Sequence, residues 1–160
     1  NHLRDELAKH ADTALQPPQP GLPDLVFTAN AGFVLGPPAI VRRFRTHERQ
    51  PEEPCDLQWF ADNGFTIADW PPIVAFEGAG DALLDRGEQV IWIGHGFRSD
   101  AAAPANVEAI TGRRTIILHL TDPRFYHLDT CLLPPTDDLI AYYPAAFDPE
   151  SVAVIERLRG

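Results

Sequence analysis

Phe125-Tyr126-His127-Leu128-Asp129-Thr130 sets an imidazole and a carboxylate two residues apart in a run that reads as a β-strand. Side chains two apart on a strand share a face. His127 and Asp129 are therefore expected to project into one space, where the carboxylate can fix the ring's tautomer and raise its basicity. Two readings stand side by side: a proton-transfer pair, or a buried histidine held by a neighbouring acid for packing. The upstream sequence bears on the choice, because Asn30, Asp81 and Asp129 fall at what read as corresponding places in three opening strands, at successive intervals of 51 and 48 residues.

Around each of these positions the same order of elements is expected. The first segment follows a stiff connection containing Pro17, Pro18, Pro20 and Pro23. It reads as a strand over 27–35, a turn at Gly36-Pro37-Pro38, a strand from Ala39 to Val41, a helix over 52–63 stopped by Gly64, and a strand over 65–68. The second reads as a strand through Glu77 to Leu84, a turn at Asp85-Arg86-Gly87-Glu88, a strand over 89–93, a helix from about 105 to 111 and a strand over 115–120. The third runs as strands over 125–133 and 139–143, then a helix capped by Asp148, with Val152, Ile155 and Leu158 on its buried face. Ahead of them, 2–10 has helical spacing and 11–15 could be a short strand. A ββαβ unit with a period near fifty cannot bury its own apolar face, which predicts an α/β fold of several sheets around an axis, with the three polar positions converging at the centre.

The bulk properties narrow the function. The 160 residues are 44% hydrophobic and 22% charged, which suits a single domain over 1–160 and excludes disorder. A net charge of -10 repels nucleic acid and anionic membrane but accommodates a cationic small molecule. No apolar run approaches a membrane span and the first residues do not form a signal peptide, so a cytoplasmic protein is expected. Cys55 and Cys131 fit neither a disulfide framework nor a zinc spacing. The sequence begins at Asn1 and stops at Gly160 directly after an amphipathic run, so a domain incomplete at its C-terminus is expected.

Two further stretches carry chemistry. Phe76-Glu77-Gly78-Ala79-Gly80-Asp81 brackets three small residues with two carboxylates, which lets substrate or backbone come close. It is otherwise a glycine-rich bend whose acids bond their own amides. An acidic strand-like run follows it, so it is not a phosphate loop. Gly94-His95-Gly96-Phe97-Arg98-Ser99-Asp100 offers an arginine that can meet a substrate anion bidentately, or a surface loop with a solvated arginine. His95, His127 and Asp129 lack a further ligand at convincing spacing, so no metal site is expected. Trp59, Trp70 and Trp92 lie on apolar faces and read as core.

Taken together, PGLPDLVFTANAG (20–32), FEGAGDAL (76–83), GHGFRSD (94–100) and FYHLDTCLLP (125–134) resemble the guanidino-group modifying enzymes, the superfamily of dimethylarginine dimethylaminohydrolase, arginine deiminase and amidinotransferase. The resemblance covers most of the chain. It implies a five-bladed α/β propeller of ββαβ units, about three of them present, and catalysis through a covalent intermediate on cysteine without metal or organic cofactor. By the same resemblance Glu77 grips the guanidinium, His127 is the general acid and base, Asp129 is a second guanidinium carboxylate, and Arg98 meets the substrate carboxylate. Asn30 and Asp81 complete the substrate-binding set. The family commonly has aspartate where Asn30 stands, and its nucleophilic cysteine lies in the last blade, past Gly160. Neither Cys131 nor Cys55 matches that position. The implied function is a hydrolase forming citrulline from arginine or a methylated arginine. Alternatives are an amidinotransferase, which shares the first half-reaction, or a truncated relative that only binds a guanidinium. The implied partner is a small guanidino substrate, with homo-oligomerisation left open.

Overall fold

The computed structural model describes residues 2–85, 87 and 89–159. Helix α1 (His2–Leu7) buries none of its residues, and no strand forms over 11–15. Two single-turn 3-10 helices, Pro23–Val26 and Thr28–Ala31, then lead into β1 (Gly32–Val34), β2 (Pro38–Val41), α2 (Glu53–Asp62) and β3 (Thr66–Ile67). The second unit has a 3-10 turn at Gly78–Gly80, then β4 (Ala82–Asp85), β5 (Val90–His95), α3 (Ala103–Thr111) and β6 (Thr115–His119). The third has a 3-10 turn at Leu128–Thr130, then β7 (Leu132–Leu133), β8 (Ala141–Tyr142), a 3-10 turn at Pro144–Ala146 and α4 (Pro149–Arg159). The expected turn at Asp85-Arg86-Gly87-Glu88 falls at Arg86 and Glu88 outside the described residues.

The result is a mixed α/β fold of three separate small sheets, ordered β1-β2-β3, β4-β5-β6 and β7-β8. In the first two units the opening hairpin is antiparallel, and the third strand joins in parallel after the helical crossover that parallel pairing requires. Asp148 caps α4 as expected, its Oδ1 accepting the Ser151 N–H at 2.8 Å. The units pack on one another through β5, whose side chains alternate between two cores. Ile91 and Ile93 join Phe33, Ile40, Phe76 and Val107 on one side, while Trp92 joins Leu118, Leu128, Leu132 and Ile155 on the other. Trp70 and Trp92 are buried as expected, and half-buried Trp59 lies over a third, smaller cluster around Phe60.

The observed repeat is more regular than the one read from the polar residues, and in a different register. Strands β1, β4 and β7 begin at residues 32, 82 and 132, and α2 and α3 at 53 and 103. This period of fifty aligns Phe27, Glu77 and His127, each the residue before a 3-10 turn. Asn30, Asp81 and Asp129 are thus not equivalent, and none lies in a strand. The expected strands over 27–35 and 125–133 failed because their first halves close 3-10 bonds instead: Asn30 N–H to Phe27 O at 3.1 Å and Thr130 N–H to His127 O at 3.3 Å. A 3-10 turn rotates about 120° per residue, so side chains two apart diverge rather than share a face.

Where the first two turns meet, Gly78 has φ +59°, and a Cβ there would lie 2.7 Å from the backbone of Gly32. Gly78→Ala should therefore lower stability by roughly 1–3 kcal/mol through strain and close contact. Urea unfolding of both proteins checks this, and a loss below about 0.5 kcal/mol would mean that the turns yield freely.

Candidate active site

The segments between sheets deliver their polar side chains to one place. Glu77 and His127, at equivalent positions of successive units, meet with Oε2 2.7 Å from Nε2, at 0% and 5% exposure. His127 therefore takes its carboxylate from fifty residues upstream and not from Asp129. Arg98 Nη1 lies 3.4 Å from the same Glu77 oxygen, with its guanidinium over the Tyr126 ring at 4.7 Å. Asn30 Nδ2 is 3.4 Å from His127 Nε2, and no Cβ would fit beside it at Gly80. The other Glu77 oxygen, Oε1, is buried without a hydrogen-bond partner. A carboxylate withdrawn from water in this way is strongly biased toward binding a cation.

Asn30, Arg98 and His127 line a cleft of about 460 Å³ together with Asp24, Val26, Phe27, Thr28, Ala29, Arg49, Tyr126, Asp129 and Thr130, while Glu77 is buried against His127 and is not part of the lining. Asp129 is exposed on its wall, and partial desolvation raises its carboxyl pKa. Asp81 is placed differently. It is 1% exposed beneath the wall, its Oδ2 accepting from Ser99 Oγ at 2.6 Å and its Oδ1 from Leu128 N at 3.1 Å. Burial pushes its carboxyl up to about 6. His95 does not join the cleft and stacks on His119 at 4.8 Å. Among the described residues no three His, Cys, Asp or Glu side chains are placed to hold a metal, and no helix is long and apolar enough to cross a membrane.

Sequence reading missed Arg49. Its Nη1 donates to Asn30 Oδ1 at 3.0 Å, and its Nε and Nη2 fork onto Glu52 at 3.1 and 3.0 Å. One signal was available: Arg49 precedes Arg98 by 49 residues, close to one repeat. Behind it lies a buried ionic chain in which Arg42 pairs with Glu52 at 3.0 Å and with Asp56, and Gln16 Nε2 donates to Asp56 Oδ1 at 2.6 Å. Burial lowers Arg42 to about 10. The guanidiniums of Arg42 and Arg49 both lie over the Phe44 ring, at 4.1 and 4.3 Å from its centroid.

No protein-family model matches the chain. Over 150 residues it is 48% identical to the bifunctional arginine dihydrolase/ornithine cyclodeaminase AgrE of Nostoc sp., covering 94% of this chain and 21% of that protein. It is 44% identical to the N(G),N(G)-dimethylarginine dimethylaminohydrolase of Mycobacterium tuberculosis, over 88% of this chain and 44% of that one. The solved N-terminal domain of ArgZ bound to substrate, an arginine dihydrolase from the ornithine-ammonia cycle in cyanobacteria, matches with a TM-score of 0.93 at 45% identity, covering 99% of this chain and 58% of that one. The chain spans between 21% and 54% of the lengths of the curated relatives it matches.

Two predictions follow from burial. Cys131 is 6% exposed, and burial pushes its thiol up to about 12, so at pH 8 it should resist a thiol-disulfide reagent until the protein unfolds. Prompt labelling of Cys131 in the native protein would show a thiolate the structure does not support. The raised carboxyl of Asp81 means the folded state holds that proton more tightly than the unfolded chain, where it titrates near ~3.9. Its contribution to stability is therefore fully present below about pH 4 and is lost as pH rises to about 6. Relative to the native protein, Asp81→Asn should recover stability across that window, read from unfolding midpoints at pH 4 and pH 7.

Proposed function

The chain belongs to the guanidino-group modifying superfamily, and we propose that it forms the guanidinium-binding part of a hydrolase acting on arginine or a methylated arginine. The observation that carries this is the buried Glu77 carboxylate, with one oxygen on His127 and the other without a partner. A planar guanidinium is the cation whose paired N–H donors fit a carboxylate bidentately. Asp129 on the cleft wall supplies a second acceptor, and Arg98 and Arg49 supply positive charge for the α-carboxylate of an amino acid. Asn30 contributes an amide rather than a third carboxylate, which leaves the proton traffic to His127.

In this reading a cysteine thiolate attacks the guanidinium carbon, His127 protonates the departing nitrogen, and ammonia or a methylated amine leaves. Water, deprotonated by His127, then attacks the carbon and releases the thiolate and a ureido product, citrulline. Attack of a second water on the ureido carbon would yield ornithine and carbamate, and the relatives named arginine dihydrolases favour testing for it. The thiolate comes from outside residues 1–160: Cys131 is buried and Cys55 lies on α2, away from the cleft lining. The three sheets would then be successive blades of a five-bladed propeller, and two unpaired thiols suit a reducing cytoplasm.

The test is turnover of arginine and dimethylarginine by the protein carrying this chain, with citrulline, ornithine and released amine quantified. His127→Ala should abolish turnover, Cys131→Ser should leave kcat unchanged, and Glu77→Gln should weaken substrate binding by roughly 1–3 kcal/mol through loss of a charge-assisted bond. Equal affinity of the native and Glu77→Gln proteins in calorimetric titration would remove Glu77 from the site.

A further inference from the structure

Asp81 is a buried carboxylate held entirely by groups of the protein itself. It does not line the cleft, and both its oxygens are already engaged. Its partners are more telling than its burial. The single proton of Ser99 Oγ goes to Asp81 Oδ2, which turns a hydroxyl lone pair toward the Glu77 N–H at 3.0 Å. The other oxygen accepts the N–H of Leu128, in the peptide that follows His127. The Asp81 carbonyl accepts the Gly94 N–H at 2.9 Å, and a Cβ at Gly94 would come within 3.3 Å of Oδ1 and 2.9 Å of the Leu128 side chain. One carboxylate thus ties the backbone at Glu77, at the Arg98-Ser99 loop and at His127.

We propose that Asp81 is a positioning residue: through Ser99 and the Leu128 amide it sets the backbone of Glu77 and His127 so that their side chains meet. This rests on the reading of Glu77 and His127 as the reacting pair. Glu77 meets the His127 ring, with Arg98 on the same Glu77 oxygen and Arg49 behind Asn30. A small shift of either backbone segment lengthens the 2.7 Å contact on which proton delivery depends.

The experiment uses the protein carrying this chain, with Asp81→Asn, Ser99→Ala and Ser99→Thr. In Asp81→Asn and Ser99→Ala, kcat should fall roughly 10- to 100-fold with KM changed by less than about threefold, and Ser99→Thr, which restores the hydroxyl, should recover most of kcat. Amide NMR should show the Glu77 and Leu128 resonances displaced in Asp81→Asn and the Glu77 resonance displaced in Ser99→Ala. That measurement needs no turnover, so it tests Asp81 even if guanidino compounds prove not to be substrates. A tenfold rise in KM with kcat intact would make Asp81 a substrate ligand and overturn the proposal. A lower melting temperature with kcat, KM and the Glu77 and Leu128 amide resonances all unchanged would reduce Asp81 to a purely structural role. Should Asp81→Asn fail to fold, the Ser99 pair decides: equal kcat in Ser99→Ala and the native protein would overturn the relay.

Discussion

A carboxylate with no access to water organises this molecule. Stripping Glu77 of its hydration costs several kcal/mol unless charge and hydrogen bonds replace it, and the structure replaces only part: an imidazole and a guanidinium share one oxygen, and the second oxygen is left over. The surroundings can be understood as the means of holding that incomplete state. The glycines before Asp81 let the chain turn tightly, the Ser99 hydroxyl fixes the Glu77 amide, and Arg98 is steadied by the face of Tyr126.

Repetition explains how two complementary groups came to face each other. The same backbone device, a non-helical residue entering a single 3-10 turn before a short strand, recurs every fifty residues. It presents Phe27, Glu77 and His127 at equivalent points, so that Phe27 and His127 line one cleft and Glu77 is buried against His127. Because each unit buries its sheet against the next, the geometry of that meeting is set by the packing around β5 rather than by flexible loops.

Much of this was legible in the sequence. The order of strands and helices followed from periodicity, and Arg98, His127 and Asp129, drawn from two of the motifs, line one cleft. The pairing was not. His127 and Asp129 are neighbours in sequence, but a 3-10 turn sends them apart, and the partner that matters comes from a previous unit. Asp81 looked like a ligand because it follows glycines, while the groups that occupy its oxygens, Ser99 and an amide, leave no trace in local composition. Arg49 sits among Arg42, Arg43 and Arg45 in a charged stretch that resembles solvated surface, and only the fold shows it turned inward.

The buried ionic chain behind Arg49 extends the reach of the cleft. Gln16, Asp56, Arg42, Glu52, Arg49 and Asn30 form consecutive contacts from the proline-rich segment near the start of the chain to the imidazole. In so dry a setting, screening by solvent ions is weak and each charge feels the next. A segment that resembles an inert spacer is therefore joined to the candidate site by an unbroken line of contacts, and exchanging Gln16 would remove the first of them without touching any residue that lines the cleft.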